Sequence, residues 1–191
     1  MNKQNILFGV FIVVVILQLF VPAKMIFEKE RVIEGGKEYK FKTAPIDPSD
    51  PFRGKYITLR FEENSVVISD EIDWQNHQDV YVFLTTDSAG FAKTESVSKD
   101  VPINQQDYVK CKVNYVNFYK KKELIIDYPF DRYYMEESKA YDAEVLHRES
   151  MRDTSKVTYA LVNIKHGDAV LKDVLINGIS IKEIVKNRQE K

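Results

Sequence analysis

The chain is poor in the residues that usually carry covalent chemistry: of 191 residues, one is cysteine and three are histidine. A lone Cys111 cannot close an intramolecular disulfide, so stability must come from a packed core. The strand-like alternation around Cys111 predicts a buried, inert thiol. His77, His147 and His166 stand at no metal-ligand spacing, and each reads as a surface or turn histidine. The sequence contains no His-Glu-x-x-His, no cysteine pair, no glycine-rich phosphate loop and no Gly-x-Ser-x-Gly elbow. Serines and lysines are plentiful, yet no small-residue turn singles out a nucleophile. A surplus of charge is also missing. Lys plus Arg number 28 against 29 for Asp plus Glu, which gives a nucleic-acid phosphate backbone no basic face to bind. Neither a metal nor a cofactor is expected.

What the chain does have is an apolar run. Ile6 to Ala23 is 18 uncharged residues, with Gln18 the one polar side chain. As a helix this run reaches roughly 27 Å, close to the ~30 Å hydrocarbon core of a bilayer. A cleaved signal peptide would have a shorter apolar stretch and small residues at the cut. Here Pro22 and bulky Leu19, Phe20 and Met25 spoil that pattern, so an uncleaved lipid anchor is expected. Lys24, Lys29 and Arg31 follow the span and Lys3 precedes it, and this count alone does not orient it.

About 168 residues follow, enough for one domain with a real core. The expected organisation is a tail at 1–5, a transmembrane helix at 6–23 and a juxtamembrane helical extension at 24–36 ending on Gly35-Gly36. A β-rich domain then fills 37–185, and 186–191 is a frayed tail. Tyr39, Phe41 and Thr43 alternate with charged neighbours as a half-buried strand. Further strands are expected at 55–62, 66–69, 80–85, 91–97, 108–116 and 123–128. A closing pair of hairpins turns at His166-Gly167-Asp168 and Asn177-Gly178 and ends in a strand at 179–181. Ser138–Glu149 is the one helix candidate after the span, capped by Ser138, with Tyr141, Val145 and Leu146 facing inward. The fold class is therefore mainly β (α+β). A transmembrane helix leads into an antiparallel sandwich or barrel-like domain with one short helix. The 11 Tyr and 11 Phe read as cross-strand core pairs.

Two segments stand out. The first, Asp47-Pro-Ser-Asp50-Pro-Phe-Arg53-Gly54-Lys55-Tyr56-Ile-Thr-Leu59-Arg-Phe61, is a proline-stiffened loop, a glycine and a strictly alternating strand. The second is Tyr128-Pro-Phe-Asp131-Arg132-Tyr133-Tyr134-Met-Glu-Glu137. In a strand Arg132 and Tyr134 share one face, and Asp131 and Tyr133 the other. Arg132 can bridge internally to Asp47 or Asp50, or stack on tyrosine and offer its guanidinium to a carboxylate or phosphate.

The first segment resembles the signature of the GDYXXLXY family of bacterial membrane-anchored proteins. Gly54, Tyr56 and Leu59 match it, while Lys55 replaces the usual Asp and Phe61 the final Tyr. The second segment, the apolar leader and the hairpin at Tyr159–Ile181 are similar to the family as well. The resemblance implies a single-pass anchor in the inner (cytoplasmic) membrane, a domain facing the periplasm or cell exterior, and the company of a polytopic membrane protein. It implies no agreed activity. The expected function is non-enzymatic binding of a membrane-protein partner or envelope ligand. The candidate binding residues are Asp47, Asp50, Arg53, Gly54, Tyr56, Asp131, Arg132, Tyr133 and Tyr134. The alternative is an envelope hydrolase with its cleft at the Gly54/Tyr56 and Arg132/Tyr133 signatures.

Overall fold

In the computed structural model residues 3–44, 56–69, 73–103, 107–119, 121–153 and 155–190 are described. The apolar leader and its charged continuation form one helix, α1 (Lys3–Gly35). None of the described side chains of its apolar stretch is buried, and among the described residues it is the one helix long and apolar enough to cross a membrane. No described residue of the folded domain buries these side chains, as suits a helix solvated by lipid on all sides.

The C-terminal turns of α1 are welded to the domain. Val32 is buried, and the Asn163 side-chain amide donates to the Ile33 carbonyl at 2.7 Å. Lys29 reaches the Ala169 carbonyl at 3.5 Å. The Gly36 amide closes the helix on the Val32 carbonyl at 2.9 Å. A Cβ at Gly36 would lie 2.4 Å from that same carbonyl oxygen and 3.0 Å from the Ile164 oxygen, so glycine is required by close backbone approach.

The strands in chain order are β1 (Lys37–Ala44), β2 (Tyr56–Thr58), β3 (Arg60–Phe61), β4 (Ser65–Val67), β5 (Asp79–Thr86), β6 (Ala92–Ser98), β7 (Tyr108–Asn117), β8 (Glu123–Asp127), β9 (Arg132–Tyr134), β10 (Thr158–Lys165), β11 (Asp168–Ile176) and β12 (Ile179–Ser180). They make two five-stranded sheets, ordered β12-β11-β10-β1-β3 and β4-β8-β7-β5-β6, and a ribbon of β2 with β9. All strand pairings within them are antiparallel. Alternation decides which face is inside. Tyr39, Phe41 and Thr43 of β1 are buried, as are Val80, Val82 and Leu84 of β5 and Val109, Cys111 and Val113 of β7. Phe41, Phe61, Tyr128 and Phe130 gather in the core, each ring 5.0–5.7 Å from the other three. The two hairpin turns of the closing segment hold positive φ at His166, Gly167, Asn177 and Gly178.

Four expectations are corrected. The strand expected at 55–62 breaks at Leu59, whose amide leaves the ladder to donate to the Asp131 carbonyl at 2.7 Å, so β2 and β3 join different partners. The helix expected at 138–149 is α2 (Glu137–Arg152), with Glu136 at its N-cap and Ser138 inside its first turn. Its buried stripe is Ala140, Ala143, His147 and Ser150, while Tyr141 is 71% exposed. Small side chains at this spacing bring the helix backbone close to the C-terminal helix, β2 and β10, which leaves no room there for a tyrosine. The tail expected to be strand and frayed end instead forms α3 (Ile181–Gln189) from Ile181 onward. Ser180 caps it by accepting from the Lys182 amide at 3.3 Å, and Ile181 and Val185 are buried one turn apart.

Candidate functional site

Anchors in the second signature decide which of its residues reach the surface. Tyr128 and Phe130 enter the aromatic core, and the Tyr128 hydroxyl donates to the Glu63 carbonyl at 2.8 Å. Tyr133, also buried, donates to the Asp173 carboxylate at 2.5 Å. Burial first, and the Asp173 bond second, push the Tyr133 hydroxyl well above the ordinary tyrosine range, so it stays protonated and donating. Asp173 faces Tyr133 because Lys172 is an extra residue on β11: Leu161 pairs with Asp173 and Val162 with Leu171. Sequence reasoning missed Asp173. The available signal was the phase jump from Ala169 and Leu171 to Val174 and Ile176.

With Tyr133 inside, Arg132 and Tyr134 stand outside on β9. The register places Tyr56 opposite Tyr134 and Thr58 opposite Arg132. The first segment therefore meets the second at Tyr56. The rings of Tyr56 and Tyr134 lie 5.3 Å apart, and the Arg132 guanidinium sits 5.2 Å from the Tyr56 ring centroid. Tyr134, then the Asp131 carboxylate, raise the guanidinium pKa further above its already high ordinary value. The Asp131 contact is loose, 3.9 Å to Nε with both side chains 53% exposed, and holds the guanidinium only weakly. The result is an exposed cation braced between two tyrosines on a ribbon pinned from behind.

Of the predicted residues, Tyr56, Asp131, Arg132 and Tyr134 share this surface. Tyr133 is its buried anchor. Asp47, Asp50, Arg53 and Gly54 lie outside the described residues, and so does the expected bridge from Arg132 to Asp47 or Asp50.

The remaining chemistry-bearing residues sit elsewhere. Cys111 is buried, and burial pushes its thiol well above the usual range. His77 and His166 occupy turns with positive φ. His147 corrects the expectation of a surface or turn histidine: it is buried on α2 because the stripe it belongs to faces the sheet. Among the described residues no three His, Cys, Asp or Glu side chains gather to hold a metal.

No curated protein and no solved structure matches the chain. The model of the GDYXXLXY protein family matches residues 18–174, from within the apolar helix to β11. With both signatures, the helix and the closing hairpin inside or against that match, the chain belongs to the GDYXXLXY family.

Proposed function

We propose that this chain is a single-pass, non-enzymatic membrane protein of the inner (cytoplasmic) membrane. Its β domain faces the periplasm or cell exterior and binds a membrane-protein partner or envelope ligand through Tyr56, Arg132 and Tyr134. The observation that carries the reading is the braced guanidinium. Its geometry is held in advance by the Tyr56 ring and a Tyr134 hydrogen bond, so little freedom is lost when it takes a carboxylate or phosphate. The basic residues after the span do not argue against an exported domain, because a long folded domain is translocated largely regardless of modest flank charge.

The hydrolase reading needs a cleft at the two signatures. A cleft that approaches them is lined by Thr58 and Asp131 rather than by Tyr56 or Arg132, and among the described residues no Ser, Cys or His lines it. Binding is therefore favoured. Mild-detergent extraction from the native membrane tests it. A second protein is expected to co-purify with the wild-type chain and to be lost with Arg132→Ala, whose melting temperature stays that of wild type. Recovery of the wild-type chain alone would overturn the proposal.

A further inference from the structure

The break at Leu59 and a second irregularity on the facing sheet open a cleft of about 260 Å³. On β7 the register slips between Val113 and Tyr115, leaving Asn114 as an extra, bulged residue. Its carboxamide donates to the Asp127 carboxylate at 2.9 Å, which fixes the amide and leaves its oxygen as an acceptor. Leu59, Phe61, Ile126 and Tyr128 form an apolar floor. Arg60, Asn64, Asn114, Tyr115, Asp127 and Asp131 supply the polar and aromatic walls, with Tyr115 about half exposed. None of Tyr56, Arg132 and Tyr134 lines this cleft, which adjoins the surface proposed above at Asp131 and is otherwise distinct from it.

We infer that the cleft is a binding site for one ring of a neutral sugar. Its volume falls just under the ~300–1,000 Å³ of pockets for drug-sized ligands, which suits a single ring rather than an extended chain. Its charges favour neither kind of simple ion. Among the described lining residues Asp127 and Asp131 accompany Arg60, and Arg132 lies beside Asp131, so the charges nearly balance and neither an anion nor a cation gains a net attraction. What remains is a ligand whose groups both donate and accept. Hydroxyls do so: they can donate to Asp127, Asp131 and the Asn114 oxygen while accepting from Arg60 and the Asn64 amide. The Tyr115 ring offers an apolar face for the C–H face of a sugar ring.

Saturation-transfer NMR on the full chain in lipid nanodiscs, which avoid sugar-headed detergents, tests the site with methyl β-glucopyranoside and N-acetylglucosamine as probes. Binding of at least one probe in the millimolar range is expected. Asn114→Ala and Tyr115→Ala each weaken it about tenfold, as expected when a polar anchor or a stacking face is removed. Asn114→Ala and Tyr115→Ala leave co-purification of the membrane-protein partner unchanged, so this test stands or falls apart from the partner-binding proposal. Unchanged melting temperatures confirm that the variants fold, and Asp127→Asn, which alters one charge without changing shape, provides a second readout. The assignment is overturned if neither sugar shows transfer, if the cleft variants bind as well as wild type, or if inorganic phosphate binds with the same dependence on Asn114 and Tyr115.

Discussion

Acidification is expected to destabilise the domain through one side chain, His147. The imidazole is 4% exposed, and its Nε2 has no hydrogen-bond partner among the described residues. The groups bonded along this part of α2 are uncharged: Ser150 donates to the His147 carbonyl, Thr158 to Ser150, and Thr43 to the Met151 sulfur. Burial therefore lowers the His147 pKa from 6.5 to about 4. In the unfolded chain the ring takes its proton near pH ~6.5, while the folded chain does so only near 4. Between those values the unfolded state holds more protons. The contribution of neutral His147 is thus fully present above about pH 6.5 and is lost as pH falls towards 4. A gap of about 2.5 pH units at 1.36 kcal/mol each amounts to about 3 kcal/mol. Urea unfolding can be followed by the fluorescence of Trp74, the single tryptophan, at steps from pH 7 to pH 4. His147→Leu removes the titration while every surface carboxylate remains, so the difference between variant and wild type isolates the histidine. The variant is expected to lose about 3 kcal/mol less than wild type over this interval. Parallel stability–pH curves, or an NMR titration placing the folded ring near pH 6.5, would refute the reasoning.

Other outcomes follow from single contacts. Tyr133→Phe leaves the Asp173 carboxylate with the Val174 amide but without its tyrosine donor and should cost about 1–3 kcal/mol by denaturant unfolding; a loss within error would mean that Asp173 does not anchor β9. Gly36→Ala drives a methyl against two backbone carbonyls and should cost about 1–3 kcal/mol, read as a lower unfolding midpoint. Ser180→Ala removes the α3 cap and should cost about 1 kcal/mol, with faster amide exchange confined to the helix start. Cys111 should resist a maleimide in the folded protein and react at once in denaturant; labelling under native conditions would contradict its burial.

The sheets were legible in the sequence wherever one face is solvated and the other is not. Tyr39, Phe41 and Thr43 announce β1 because their neighbours are charged, and Asn177-Gly178 announces its turn because only a few residue types accept positive φ. The switch at Leu59 left no such mark. Ile57, Leu59 and Phe61 are all buried, so the period runs through the break undisturbed while the hydrogen bonds change partners. The inward face of α2 was misread because hydrophobicity favours Tyr141, whereas close packing selected Ala140 and Ala143. The start of α3 carries Ser180-x-x-Glu183, a capping-box pattern that a nine-residue helix makes easy to overlook. At the candidate site, the outward pairing of Arg132 with Tyr134 followed from strand geometry alone. The facing position of Tyr56 needed the register, and Asp173 needed a bulge that composition does not reveal.

The absence of slack between α1 and the sheet has a mechanical consequence. With Val32 buried and Ile33 and Gly36 held against β10, a reorientation of α1 would be carried into the body as one piece. β1 then acts as a lever arm of roughly 23 Å, at about 3.3 Å per residue, whose far end adjoins the segment bearing Tyr56. A tilt of about 20°, the average for spanning helices, would sweep that end through roughly 8 Å. Bilayer thickness, by setting the tilt, would thereby set where the tyrosine-braced arginine meets its surroundings.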